Sequence, residues 1–196
     1  MKKVLFNLTL GASLALFLLV SCKPAQSVVD PPSAPPTADL EDQYKGTPCS
    51  GPRCLSDTAY IRFSAVGESM DEMMAKQKAM SNARAGIAAE MKTGIEGMIS
   101  SYSKSMEMQN VEEIQERFES YTQETIKQTL TGSRAICETM IQTEDKKYKC
   151  YVCMEQPKQD LLTALKDAAM KDERLKVDFN YEMFKKTFEK SMMKIE

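Results

Sequence analysis

Six cysteines carry most of the chemistry that this 196-residue chain offers. The first, Cys22, closes the run Leu19-Val20-Ser21-Cys22, an apolar residue and two smaller ones ahead of a thiol. A thiol at such a place can take a diacylglyceryl group, and cleavage just before it frees an amine for a further acyl chain. Upstream, Lys2 and Lys3 precede an apolar core from Leu8 to Val20. That core has about 13 residues, short of the ~20 a spanning helix needs, and it fits the apolar region of an export signal. Residues 1–21 are therefore expected to be a cleavable signal, with Cys22 the lipidated first residue of the mature chain. Several acyl chains hold a protein stably where one alone is marginal. Lys23 and Pro24 follow, without the Asp that retains many such proteins at the inner membrane. The expected location is the outer membrane of a Gram-negative bacterium, with either leaflet open.

The remaining cysteines sit in two close pairs and one single. Cys49-Ser-Gly-Pro-Arg-Cys54 places two thiols around a Gly-Pro turn, which in an oxidising compartment predicts a local disulfide. A redox pair is the alternative, although the spacing is four intervening residues rather than two. Cys150-Tyr-Val-Cys153 has the redox spacing, but on a strand positions i and i+3 point to opposite faces. A reactive pair of that kind sits at a helix N-terminus, where the dipole lowers the thiol pKa. Cys137, Cys150 and Cys153 are thus expected to be unbridged, as small apolar residues. Lipidation of Cys22 uses one of six and leaves an odd five, so at least one thiol is free or intermolecular.

Histidine and tryptophan are both absent. The first absence removes the commonest general base and the usual partner of a Ser or Cys nucleophile. No paired carboxylates, glycine-rich phosphate loop or nucleophile elbow stands out, so neither catalytic nor metal-ligating residues are assigned, and no small-molecule substrate is expected. Removing Lys2 and Lys3 leaves 24 basic against 28 acidic residues, a mature charge of about −4 that gives no reason to expect nucleic acid binding. The 15 methionines could hold a soft metal such as copper or make an adaptable surface. Most fall on helical stripes and read as core, while Met70, Met73, Met74, Met106, Met108, Met192 and Met193 cluster near element ends, where exposure is expected.

The elements that position these groups follow from composition and periodicity. Residues 22–56 form the lipidated Cys and a spacer: 23–56 hold seven of the eight prolines, with Ser, Ala and Thr between, a composition that cannot bury a core. Extended, such a stretch reaches on the order of 100 Å. Residues 57–196 form the head. Tyr60–Val66 alternates as a half-buried strand, ended by Gly67. Ser69 and Glu72 resemble a capping box for a long helix with Ala75, Ala79 and Ala83 on one stripe, continued by Ile87, Met91, Ile95, Met98, Tyr102 and Met106. Gly86, Gly94 and Gly97 each cost about 1 kcal/mol relative to Ala and are expected to bend or shorten it.

Asn110 and Glu113 cap a second helix carrying Val111, Ile114, Phe118, Tyr121 and Leu130, with Gly132 at its C-cap. A hairpin follows, Arg134–Thr143 and Lys147–Glu155. A two-residue turn at Asp145-Lys146 puts Ala135, Cys137 and Ile141 on one face with Tyr148, Cys150, Val152 and Met154, and Cys137 opposite Met154. A three-residue turn would instead set Cys137 against Cys153 with mismatched faces. Pro157 opens a third helix (Leu161, Leu162, Leu165, Met170), and a last one carries Tyr181, Phe184, Phe188, Met192 and Ile195. Its Lys185, Lys186, Lys190 and Lys194 suit a membrane surface, although Glu182 and Glu189 favour an ordinary solvated face. The expected fold is α+β, a small, mostly antiparallel three-stranded sheet packed by long helices in the order β-α-α-β-β-α-α.

Certain of these residues also resemble a known family. Ala65-Val66-Gly67-Glu68-Ser69 after the first strand, then Ala75, Ala79 and Asn82-Ala83-Arg84-Ala85, the Lys147–Val152 strand and the Phe-bearing terminal helix are similar to the twenty-kilodalton bacterial surface lipoproteins, first known as a membrane antigen of gastric bacteria. That family in turn resembles the N-terminal module of a flagellar assembly protein. The resemblance spans roughly residues 58–196 and implies an α+β head on an outer-membrane lipid anchor, acting by protein contacts and without catalytic residues. The Cys49/Cys54 pair and the Cys-rich hairpin are not features of that family and leave a redox role open.

Three functions are thus expected, in order. The first is a non-catalytic envelope lipoprotein binding another envelope protein or a second copy of itself. The second is a periplasmic thiol–disulfide protein using Cys150/Cys153 or Cys49/Cys54. The third is a tethered activator of a cell-wall enzyme. No cofactor is expected beyond the lipid on Cys22.

Overall fold

The computed structural model describes residues 46–105, 111–177 and 179–193. Cys22, the signal, most of the spacer, the Asn110 cap, Met106, Met108, Lys194 and Ile195 lie outside the described residues.

The head is α+β. Its elements are β1 (Tyr60–Ser69), α1 (Glu72–Ser105), α2 (Val111–Thr129), β2 (Arg134–Gln142), β3 (Tyr148–Pro157), α3 (Lys158–Lys171), α4 (Glu173–Val177) and α5 (Tyr181–Met192), with short 3-10 turns at Pro52–Cys54 and Leu130–Gly132. The order follows the expectation, with α4 added. The three strands form one sheet in the order β1-β3-β2, antiparallel throughout.

One face of the sheet receives the helices. Ile61, Phe63 and Ala65 of β1 alternate toward it, opposite Gln156, Met154 and Val152 of β3. Gly67 does not end β1, which runs on to Ser69. A Cβ at Gly67 would collide with the Ala75 carbonyl oxygen and the Ala79 nitrogen, so glycine marks the point where helix backbone crosses strand backbone. The alanine stripe makes that crossing possible: Ala75, Ala79 and Ala83 are fully buried, and Ile87, Met91, Ile95 and Met98 extend the same face. Helix α1 continues unbroken for 34 residues. Gly86 does not bend it, since the Phe63 ring occupies the space a Cβ would fill.

The N-cap of α1 is Asp71, whose Oδ1 accepts from the Met74 N–H at 2.8 Å, rather than Ser69. Serine accepts instead from the Asp71 N–H. At the end of α2 the chain tightens into the 3-10 turn, closed by Ser133 bonding back to the Leu130 carbonyl. No described glycine has a positive φ, so Gly132 is not a left-handed cap.

Tyr102, Phe118, Phe179 and Phe184 gather edge-on and stacked where α1, α2 and α5 meet. Tyr102 hydroxyl also accepts the Asn180 N–H, and Asn180 caps α5 through Met183 N. Leu161, Leu162, Leu165 and Phe188 complete the core as expected, and Met192 is buried with them despite its place near the end of α5, whereas Met170 and Tyr181 lie at the surface. The buried Lys158 ammonium donates to the Met192 carbonyl at the end of α5, where a cation complements the helix dipole.

Candidate functional site

The second face of the sheet is where four cysteines meet. It carries Arg62, Ser64, Val66 and Glu68 from β1 and Glu155, Cys153, Tyr151 and Lys149 from β3, paired in that order. From β2 come Cys137 opposite Cys153, Thr139 opposite Tyr151 and Ile141 opposite Lys149.

This register corrects the hairpin expected from the apolar pattern. Thr143 N–H bonds to the Lys147 carbonyl, and Lys146 N–H turns back to the Thr143 carbonyl. The loop is therefore the three residues Glu144, Asp145 and Lys146, with Lys146 in the left-handed region at φ 59°, the usual form of a three-residue hairpin loop. Asp145 accepts from the Thr143 hydroxyl inside it, and that bond with the neighbouring Lys147 holds its carboxyl down at about 2. A bulge between Ala135 and Cys137 keeps Ala135 toward the helices while turning Cys137 to the other face. The cost in mismatched faces is small. Met140 still packs on the core, and Glu138, turned toward the helices, meets Lys76 of α1 at 2.7 Å.

Residues 46–56, assigned by composition to the spacer, fold back on this second face as a strap. Ser56 Oγ accepts the Arg62 N–H and donates to the Arg62 carbonyl, and Asp57 N–H bonds to the Tyr60 carbonyl. The strap thus covers outward backbone groups of β1, while Asn82 and Lys78 of α1 take the Val66 and Glu68 carbonyls. An edge strand covered in this way offers little to a pairing partner.

The strap also fixes the cysteines. Cys49 is not bridged to Cys54. It is bridged to Cys137 across 88 residues of sequence, with a Cα–Cα distance of 5.5 Å. The physical reason lies in the two ends of the Gly-Pro turn. The 3-10 turn of Pro52–Cys54 aims Cys54 at the sheet, and Cys49, in the left-handed region at φ 55°, lies over β2 beside Thr139. Both sulfurs therefore point at the sheet rather than at each other. Ser64 anchors the same turn by donating to the Cys49 carbonyl. Cys54 and Cys153 are buried free thiols next to that bridge, and Ile136, Cys137 and Tyr151 pack round them.

Cys150 and Cys153 occupy opposite faces of β3, as the strand alternation predicts. Cys150 belongs to the helix-side core and Cys153 to the strap side. Burial pushes the Cys150 thiol upward. Burial, then the adjoining Cys54 thiol, pushes Cys153 to about 12. Thiolate chemistry needs the opposite shift.

Beyond the cysteines, the face ends in a charge network. Glu155, only 4% exposed, accepts from Arg62 Nε at 3.0 Å and from Arg134 at 2.7 Å, and Arg62 reaches on to Asp57 at 2.7 Å. A buried carboxylate shared by two guanidinium groups fixes the strand ends and the strap together. Among the described residues, no group of three or more Cys, Asp or Glu is placed to hold a metal ion, and no helix is long and apolar enough to cross a membrane.

The expectation that Cys137 is unbridged is thus corrected along with the Cys49–Cys54 pairing, since the register turns Cys137 to the strap side and onto Cys49. The signal sequence reasoning lacked was the bulge and the left-handed Lys146, neither of which has a residue type that announces it. Comparison of the chain with family models, curated proteins and solved structures returns no match.

Proposed function

We propose that this chain is a lipid-anchored envelope lipoprotein of the outer membrane whose head works without catalysis, through contact with another envelope protein or a second copy. The observation that carries this is a methionine-rich apolar patch where β1 turns into α1. Met70, Met73 and Met74 are 67%, 62% and 45% exposed. Large apolar side chains grouped on a surface mark contact sites, and methionine adapts its shape to a partner. The anchor is supported by the Leu19–Cys22 run and the charged and apolar segments before it. The burial and raised pKa of Cys150 and Cys153, and the engagement of Cys49 with Cys137, favour this reading over a thiol–disulfide activity.

The test uses the full chain in intact cells. A photo-crosslinking residue at Met73 or Met74 should give a discrete covalent adduct, and one at exposed Lys127 on α2 should not. Met73→Glu with Met74→Glu should abolish binding without shifting the thermal midpoint of the head. Adducts equal at both sites would sink the contact reading. The anchor is checked separately: labelled palmitate should enter the wild-type chain and not Cys22→Ala.

A further inference from the structure

Four of the six cysteines come together under the strap, and only two of them are joined. Strand β3 delivers Cys153 to the strap side, and the Pro52–Cys54 turn delivers Cys54 onto it. Cys153 is fully buried and Cys54 is 6% exposed. The two thiols belong to one buried cluster, against which Ile136, Cys137 and Tyr151 pack. The neighbouring pair, Cys49 and Cys137, is already a disulfide made between the same strap and the same sheet.

We propose that Cys54 and Cys153 close a second disulfide, so that the strap is stapled twice, once to the edge strand β2 and once to the central strand β3. This goes beyond the contact function above and does not rest on it. The cysteine arithmetic then closes. With Cys22 lipidated and two bridges on the strap side, the odd thiol is Cys150, alone on the helix side of β3 and fully buried.

The chemistry is a thiol–disulfide exchange with an oxidant of the disulfide class, either a protein disulfide or a small-molecule one. Cys54, the more accessible thiol, loses its proton and attacks one sulfur of the oxidant. The oxidant's S–S bond breaks, a mixed disulfide forms and one oxidant thiol leaves. Cys153 then loses its proton and attacks Cys54 Sγ, forming the Cys54–Cys153 bond and releasing the second oxidant thiol. Two protein thiols have lost two electrons and two protons, and one oxidant disulfide has become two thiols. Burial keeps Cys153 protonated in the closed fold, so its step belongs to folding or to moments when the strap lifts. The competing arrangement is set by register, since Cys137 lies directly opposite Cys153. Attack of Cys153 on Cys137 Sγ would give Cys137–Cys153 and release Cys49 as a thiol, which a second equivalent of the same oxidant would join to Cys54.

The experiment is peptide mapping of the full chain, oxidised with glutathione disulfide, then alkylated under denaturing, non-reducing conditions. Trypsin cuts after Arg53, which separates Cys49 from Cys54, and after Arg134 and Lys149, which separates Cys137 from Cys150 and Cys153. The expected result is a linked pair of peptides Cys54–Arg62 and Cys150–Lys158, with Cys150 alkylated and Cys54 and Cys153 not. Alkylation of Cys54 and Cys153 alongside Cys150 overturns the proposal, as does a Cys49–Cys54 link. Cys54→Ser gives an independent sign test among Cys54, Cys150 and Cys153. If the bridge exists, the variant has one more alkylated thiol than wild type, because Cys153 is released. If it does not, the variant has one fewer.

Discussion

At Gly67 the strand and helix backbones approach so closely that no side chain fits between them. A Cβ there meets backbone atoms of Ala75 and Ala79, which cannot move without shifting α1 on the sheet. At Gly86 the clashing group is the Phe63 ring, a side chain that can swing, and alanine also gains about 1 kcal/mol of helix propensity there. Gly67→Ala should therefore destabilise the head by on the order of 3 kcal/mol, as overpacking does, and Gly86→Ala by distinctly less. Urea unfolding of the two variants checks the order, and equal losses would show that the helix is free to move. Gly67 looked like a strand breaker in the sequence because a glycine inside a strand and one at its end read alike. The alanine stripe that follows, at 75, 79 and 83, was the legible sign that a backbone approaches.

Among the elements, the five-residue helix α4 is the least expected and depends most on one side chain. Asp172 accepts the Arg174 and Leu175 N–H groups at 2.9 Å as its N-cap. Its other oxygen takes the Tyr121 hydroxyl at 2.9 Å and Arg117 at 3.1 Å, both from α2. The Leu175 N–H bond leads in holding its carboxyl down at about 2; desolvation opposes it, and Tyr121, Arg174 and Arg117 add to the lowering. A carboxyl with a lowered folded-state pKa contributes stability above its unfolded value, and that contribution is lost as the pH falls from about 4 to about 2. Asp172→Asn should cost about 1–2 kcal/mol at neutral pH and should flatten the pH dependence of the urea midpoint across that acid window. An unchanged acid slope would remove Asp172 from that role. Helix α4 escaped sequence reasoning because five residues show no periodicity. Tyr121 was placed in the core because its spacing on α2 fits the stripe, while its hydroxyl draws it out to Asp172. The two long helices and the hairpin were legible for the opposite reason, since each repeats its pattern over several turns or pairs. The hairpin register was not, because apolar matching favoured two-residue turn geometry and nothing in Glu144-Asp145-Lys146 advertised a left-handed lysine.

For the molecule as a whole, the Cys49–Cys137 bridge closes a loop of 88 residues of separation that takes in β1, α1 and α2. In the chain-entropy picture a loop of that length stabilises the folded state by about 4–5 kcal/mol. Cys137→Ser should lower the urea midpoint accordingly, and in Cys54→Ser, which keeps the Cys49–Cys137 bridge, adding reductant should lower the midpoint by a similar amount. A midpoint insensitive to both would mean that the strap holds by its hydrogen bonds alone. The sequence pointed to Cys49 as a structural cysteine but gave it a neighbour in the chain rather than one across the sheet. Pairings over such a span are set by the fold, and spacing carries no information about them.

The same bridge decides where a mechanical load would enter. Cys49 lies only a few residues inside the first described residue of the head, Gly46. Tension arriving along the chain from the N-terminal side would meet a covalent bond into the middle of β2 before it reached the hydrogen bonds of Ser56 with Arg62. The start of β1 would be shielded from being peeled away one bond at a time. A head loaded in this way would yield at the β2–β3 ladder, not at the strap, and reduction of every bridge on the strap would move that weak point to β1.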